Sequence, residues 1–400
     1  MNKQAIETEL TNILKSLHES LLESNRKAHQ QNLRSVLLTH EHRRFFSRKK
    51  ADEIHACDVN FDIRLTQMLL SWGMYDCSMF MDKIDKSLMT EILKTRLEPY
   101  DYNAMNIESC KSFDKVKYNI VIPVKKQWDS DDRKMHTRTI ALYLNNILKD
   151  REDWGVCFVV QEPDSEITND LKNMIKAVSW KNVNIFTIVS DAAFMKKSAC
   201  YNYVCKEVEC EWQVNHDVDL LFSDLFISEI EKFCSSGGGD FYQPYYGGSV
   251  TQLNQEETHH LLESACYDNL ICDLNKYVIE NKPKATEFAP GGSVVVRQSL
   301  MKKVGGYDPQ IIDGYGPEDS MFWLKLEIFT GRPDYTDIKL AHLGYGSYCE
   351  NNDCQIFHFQ HAPGHMDIEN SLLPLTYYLF WRYATPVAKL NFLERLDGVL

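Results

Sequence analysis

Apolar residues follow two rhythms along this chain, and the change between them comes at Tyr118. Before it, Ile6, Leu10, Ile13, Leu17 and Leu21 recur at steps of three and four, the signature of a helix with one apolar stripe. That stripe predicts packing on the helix's own domain and leaves a homodimer seam open as the second reading. Residues 51–110 are also expected to be largely helical. From Tyr118 the pattern becomes short β-branched runs: Tyr118–Val124, which Pro123 is expected to close, Gly155–Val160, Val183–Val189 and Val294–Val296. Short continuous apolar runs of this kind predict strands buried on both faces. Thr137–Leu148 and Met195–Val208 lie between them with helical character, and Ser320–Phe329 follows later. Strands alternating with helices predict βαβ units, hence an α/β fold with a mixed, mainly parallel sheet flanked by helices. The expected organisation is a helical region over 1–112, an α/β domain over 113–370 and a helical tail over 371–400.

Composition narrows the partners more than the fold. Four hundred residues are enough to bury a substantial core. A formal charge of −13 argues against a nucleic-acid partner, which is held by basic patches. It does not exclude a phosphorylated ligand, because a metal ion can supply local positive charge. The first residues, MNKQAIETEL, lack the basic and apolar regions of a secretory signal, and no run of about 18 apolar residues occurs. A cytoplasmic protein is therefore expected. The basic run His40–Lys50 reads as solvated surface and the apolar tail Leu373–Leu393 as core packing, with a peripheral contact on the inner face of a membrane left open for both. Twelve cysteines without a disulfide rhythm are expected to be reduced. Cys200, Cys205 and Cys210 fit no common zinc spacing and are expected in the core.

Two acidic clusters carry the chemistry. Asn215-His216-Asp217-Val218-Asp219 ends an apolar stretch, and Gly314-Tyr315-Gly316-Pro317-Glu318-Asp319 follows nearly a hundred residues later. Hard carboxylate oxygens suit Mg²⁺ or Mn²⁺ bridging a diphosphate. Alternate residues of a strand point to opposite faces, so Asp217 and Asp219 can meet one ion only where the strand ends and turns. Glu318 and Asp319 open a helix, where the helix dipole favours charged carboxylates. Glu162, Asp191 and Asp217 all lie just beyond strand ends, the place where parallel sheets bind ligands. Ser235–Gly248, with three successive glycines and an aromatic cluster at Tyr242–Tyr246, reads either as a closing loop or as a hairpin.

From about Tyr118 to His365 the chain resembles the GT-A fold glycosyltransferases, nearest to the β-1,4-galactosyltransferase and bacterial chondroitin-synthase families. The resemblance rests on Ile122-Pro123-Val124, Lys197 and Asn202, Asp217-Val218-Asp219, Pro290-Gly291-Gly292, Gly305-Gly306-Tyr307, Gly314–Asp319 and His358-Phe359-Gln360-His361, in that order. It implies that Asp219 ligates a metal, with Asp217 near the donor ribose and the metal shell. His361 is implied as a second ligand, with His365 and His342 as alternatives, and His358 stands where the family has a methionine ligand. That set favours Mn²⁺ over Mg²⁺. Asp319 matches the catalytic base and Glu318 an acceptor contact, while Ser320 replaces the family's third acid. Tyr315 takes the place of a tryptophan that stacks on sugars. Pro123, Val124 and Lys125 fall where the uridine is held, with Lys197, Asn202 and Gly292 also on the donor side, and Glu162 and Asp191 as candidates for the uracil or ribose. The implied reaction is inverting transfer of a hexose or N-acetylhexosamine from a UDP-sugar to a glycan or lipid-linked saccharide. A retaining transferase of the polypeptide N-acetylgalactosaminyl kind and a non-catalytic carbohydrate-binding scaffold are the alternatives.

Overall fold

The computed structural model describes residues 1–17, 80–126, 132–190, 195–247, 249–264, 286–288, 291–312, 317–330, 347–360 and 372–400. The chain divides into two units. The first comprises Met1–Glu98, Tyr315–Pro317 and Pro363–Thr385, and the second Pro99–Gly314, Glu318–Ala362 and Pro386–Leu400.

The first unit is helical where it is described. The helix over 3–17 buries Ile6, Leu10, Leu14 and Leu17, so Leu14 rather than Ile13 completes the apolar stripe, and the stripe is covered within the chain. Its Glu7 accepts the backbone N–H groups of Leu372 and Leu373 at 2.9 and 2.8 Å. Those are orphan donors at the start of the helix Leu372–Tyr383, where a carboxylate is favoured. Every residue from Leu372 to Trp381 is buried, so this part of the apolar tail is interior packing. Helix Lys86–Leu97 is capped by Asp85, which accepts Leu88 N–H at 2.8 Å. Among the described residues no helix is long and apolar enough to cross a membrane.

In the second unit the chain runs through β1 (Ile107–Cys110), β2 (Lys115–Lys125), α1 (Asp132–Leu148), β3 (Trp154–Glu162), α2 (Glu166–Ala177), β4 (Val183–Val189), α3 (Lys197–Glu207) and β5 (Glu209–His216). It continues through β6 (Leu220–Phe222), α4 (Leu225–Ser236), β7 (Phe241–Tyr246), β8 (Ser249–Gln252), α5 (Gln255–Ser264), β9 (Thr286–Phe288), β10 (Ser293–Arg297) and α6 (Gln298–Lys303). Next come α7 (Glu318–Phe329), β11 (Ser347–Cys349), β12 (Ile356–His358) and α8 (Pro386–Leu396). One sheet has the order β1-β4-β3-β2-β5-β10-β7-β11 and a second has β6-β12-β8-β9. The central strands β4, β3, β2 and β5 are mutually parallel, as the strand–helix alternation predicts. β3 is buried at every residue. Ile140, Tyr143 and Leu144 of α1 join Ile120, Val156 and Val214 of the strands in one core.

Three expectations change. Ile107–Cys110, expected within a helical stretch, is a strand antiparallel to β4. It lies at the sheet edge and is mostly exposed, so it carries no apolar pattern to read. Pro123 does not close its strand, because β2 runs on to Lys125. Pairing of β2 with β5 ends at Val121, leaving only β3 alongside, so a residue without an N–H is tolerated there. Ser235–Gly248 is not an open loop. Gly237, at φ +68°, ends α4, and Phe241, Tyr242 and Tyr245 are buried in β7. Sheet packing claims the aromatic cluster. Cys200, Cys205 and Cys210 are buried free thiols. Burial pushes Cys200 and Cys205 up to about 12 and Cys210 well above its ordinary value, as befits core packing.

Candidate active site

The site is built around the turn that leaves β5. His216, the last residue of β5, is fully buried against the stacked rings of Phe222 and Phe226, with centroids at 5.3 and 5.8 Å. Burial holds its imidazole below the ordinary range, so the ring is neutral, and its Nε2 pairs with the Leu220 carbonyl at 3.0 Å. Leu220 N–H in turn donates to the Asp217 carbonyl at 3.2 Å. This tight turn sends its two aspartates to different partners. Asp217 is tied by its own N–H to the Gly292 carbonyl at 3.1 Å, just ahead of β10.

Asp217 shares one ammonium with Asp319. Lys197 Nζ lies 3.0 Å from Asp217 Oδ1 and 3.0 Å from Asp319 Oδ2, and Tyr201 donates its hydroxyl to Asp217 Oδ1 at 3.2 Å. Lys197 and Tyr201 stand one turn apart on α3, which puts both on one helix face. A cation at a helix N-terminus is ordinarily disfavoured. Burial also works against the charge of Lys197, yet Asp217 and Asp319 hold its pKa well above the ordinary value. Glu318 and Asp319 open α7. Burial, then the neighbouring Asp319, pushes Glu318 up to about 8. Asp319 is raised by burial, opposed by Lys197 and supported by Asp217. The side chain of Asp319 is 24% exposed, so it can be reached, but its Oδ1 is buried and has no hydrogen-bond partner. A Cβ at Gly291 would lie 2.1 Å from Asp319 Oδ2, so glycine there is what admits the carboxylate.

Asp219 faces a second group. Its Oδ2 pairs with Arg133 and lies 3.8 Å from His358 Nε2. His358 Nδ1 meets Gln252 Oε1 at 2.8 Å, which orients the ring with Nε2 towards Asp219. That is the arrangement of a metal-ligating histidine oriented by an outer hydrogen bond. Two ligands each about 2.1 Å from one ion can stand up to about 4.2 Å apart, so Asp219 and His358 fit a shared divalent cation. Among the described residues no three His, Cys, Asp or Glu side chains are grouped to hold a metal.

Other expected site residues are placed differently. Glu162 accepts Ile167 N–H and Thr168 N–H, both at 2.8 Å, with its two oxygens, and so caps the start of α2. Asn202 donates to the Tyr307 carbonyl at 3.1 Å and accepts Tyr307 N–H at 2.9 Å. It clamps the Gly305-Gly306-Tyr307 turn instead of reaching the donor. Gly306 has φ +63°, and a Cβ there would lie 2.4 Å from Asn202 Oδ1. Pro123 and Val124 are buried in β2, and Lys125 is half-buried with its amine lowered by burial. Asp191, Tyr315, His361, His342 and His365 lie outside the described residues, as do the basic run His40–Lys50 and Leu21. The sequence reading missed Arg133, Tyr201 and Gln252. Arg133 and Tyr201 left signals, a cation in the first turn of α1 and a tyrosine four residues after Lys197. Gln252 left none, because the small sheet that delivers it was not foreseen.

No protein-family profile and no curated protein matches this sequence. Among solved structures, TarS 1–349 from S. aureus is 12% identical, with a TM-score of 0.39 and 70% of each chain covered. The same protein in complex with UDP-GlcNAc gives 12% and 0.41 over 70% of each chain. The mannosyltransferase PcManGT from Pyrobaculum calidifontis, in complex with GDP-Man and Mn²⁺, is 11% identical, with a TM-score of 0.38, covering 83% of this chain and 84% of that one. Likenesses this remote assign neither family nor activity.

Proposed function

We propose that this protein is an inverting glycosyltransferase that moves a hexose or N-acetylhexosamine from a UDP-sugar to a hydroxyl of a glycan or lipid-linked saccharide. The observation that carries the reading is the Asp217–Lys197–Asp319 bridge, in which one Asp319 oxygen has no hydrogen-bond partner among the described residues. An acceptor hydroxyl approaches the exposed side of that carboxylate. Asp319 removes the hydroxyl proton as the acceptor oxygen attacks the anomeric carbon, and the nucleoside diphosphate departs from the opposite face. One displacement inverts the anomeric centre. Lys197 and Arg133, paired with Asp319 and Asp219, bring positive charge to the diphosphate. Asp219 and His358 would hold a divalent cation, with Asp217 near the donor and His361 as the implied further ligand. When bound, the ion would neutralise charge developing on the leaving diphosphate, with Mn²⁺ suited to the imidazole.

The test is a panel of UDP-sugars scored by thermal shift with and without Mn²⁺, followed by transfer to saccharide acceptors. A UDP-sugar that stabilises the protein and is transferred with inversion supports the reading. A product of retained anomeric configuration assigns the retaining class instead. Absence of binding, hydrolysis and transfer across the panel leaves a carbohydrate-binding scaffold.

A further inference from the structure

Among the described residues the chain crosses from the large sheet to the small one three times, and the last two of these crossings lie side by side. β7 leaves the large sheet at Tyr246 and Gly247 to become β8, while β11 ends at Cys349 and β12 begins shortly after Cys354. Successive amides of the first of these two hold the second. Tyr246 N–H donates to the Cys354 carbonyl at 2.8 Å and Gly247 N–H to the Cys349 carbonyl at 3.2 Å. Cys354 N–H donates to the Asn351 carbonyl at 3.0 Å and Asp353 N–H to Asn351 Oδ1 at 3.1 Å. These bonds fold 349–354 into a tight turn that brings its two ends together. The Cys349 thiol reaches the Asn351 carbonyl at 3.8 Å, with the Cys354 thiol and the Tyr242 hydroxyl as its neighbours. Both cysteines are buried, under a turn whose Glu350, Asn352 and Asp353 are exposed.

The two sulfurs are not equivalent. Cys354 brings the Cys349 thiol down to about 7 against the opposing effect of burial. The Cys354 thiol is pushed up, first by Cys349 and then by burial, and meets the Pro244 carbonyl at 3.0 Å. A thiolate is the nucleophile in disulfide exchange. We propose that Cys349 and Cys354 form a dithiol that closes reversibly to an intramolecular disulfide, a redox site at the corner joining the two sheets. The oxidant is a small-molecule disulfide. Cys349 thiolate attacks one of its sulfurs and releases one thiol. Cys354 then loses its proton to solvent and attacks the Cys349 sulfur of the mixed disulfide, releasing the second thiol. Two protein thiols are oxidised, and one disulfide is reduced to two thiols. His358 lies four residues beyond Cys354 on β12, so closure stiffens the strand that brings this imidazole to Asp219. That consequence rests on the transferase reading, whereas the redox chemistry does not.

The test uses the full folded chain and needs no substitution. The protein is incubated with oxidised glutathione, unfolded, alkylated and digested with trypsin, which leaves both cysteines on the single peptide Leu340–Arg382. The expected peptide is two hydrogens lighter than the reduced form, takes no alkyl group and regains two alkylation sites after dithiothreitol. Cys354→Ser should retain a glutathione adduct on Cys349, whereas Cys349→Ser should acquire one on Cys354 about tenfold or more slowly. Two alkylated cysteines after oxidant, or a lasting glutathione adduct on the unsubstituted chain, overturns the proposal. Equal adduct rates in the two variants overturn the roles given to the sulfurs.

Discussion

Among the lysines of the α/β unit that meet aspartate, Lys325 and Lys197 contrast, and their surroundings separate a structural ion pair from the proposed working one. Lys325 and Asp308 are 0% and 1% exposed, 2.9 Å apart, and Lys325 also donates to the Gly306 carbonyl. The ammonium there meets a carboxylate and a carbonyl in the interior. Lys197 answers two carboxylates, Asp217 and Asp319, which are 29% and 24% exposed, with Glu318 close by. The second site is over-acidic and open, and one of its carboxylate oxygens lacks a partner. Folding alone does not call for such an arrangement. In the proposed reading a substrate hydroxyl and a diphosphate complete it.

The comparison can be broken or sharpened by substitution. Lys325→Met strands Asp308 in the interior, so urea unfolding should show a loss of about 3–5 kcal/mol, with UDP-sugar affinity unchanged in the folded fraction. Gly291→Ala sets a Cβ against Asp319 and should lower turnover about 100-fold by displacing the base, with a melting temperature near that of the parent. Lys197→Met should behave in the opposite way to Lys325→Met. Its partners are partly exposed, so stability should fall by no more than about 1 kcal/mol, while donor affinity measured by calorimetry drops about tenfold with the loss of a charged contact.

A further effect is expected in pH dependence. A carboxylate whose folded pKa is raised binds a proton that the unfolded chain has already released, so stability falls as pH rises between the two values. For Glu318 that window runs from about 4.3 to about 8. Melting temperature across this window should decline in the parent, and Glu318→Gln should flatten the decline. An unchanged slope in Glu318→Gln would place the proton elsewhere.

How much of this was legible depended on burial. β2, β3 and β4 sit between helices and therefore read as apolar runs, and the acids at their ends could be found by position alone. Ile107–Cys110 was missed because an edge strand needs no apolar face. The small sheet was missed because β6, β8 and β12 span three or four residues each, too short for a period. Within the site, Asp217 and Asp319 were recognisable as acids in ordered motifs. The backbone contacts of Glu162 and Asn202 were not legible, because a buried polar side chain looks alike whether it serves a ligand or a backbone amide. Only the hydrogen bonds to Ile167, Thr168 and Tyr307 distinguish the two.

The central claim, that Asp319 removes the acceptor proton, is tested most directly by Asp319→Asn, an isosteric change that keeps shape and removes basicity. With UDP-sugar affinity and sugar transfer measured on the same preparation, donor affinity should stay within a few-fold of the parent while transfer falls about 1,000-fold. Transfer at near-parental rate with intact donor binding would contradict the claim and move the base elsewhere.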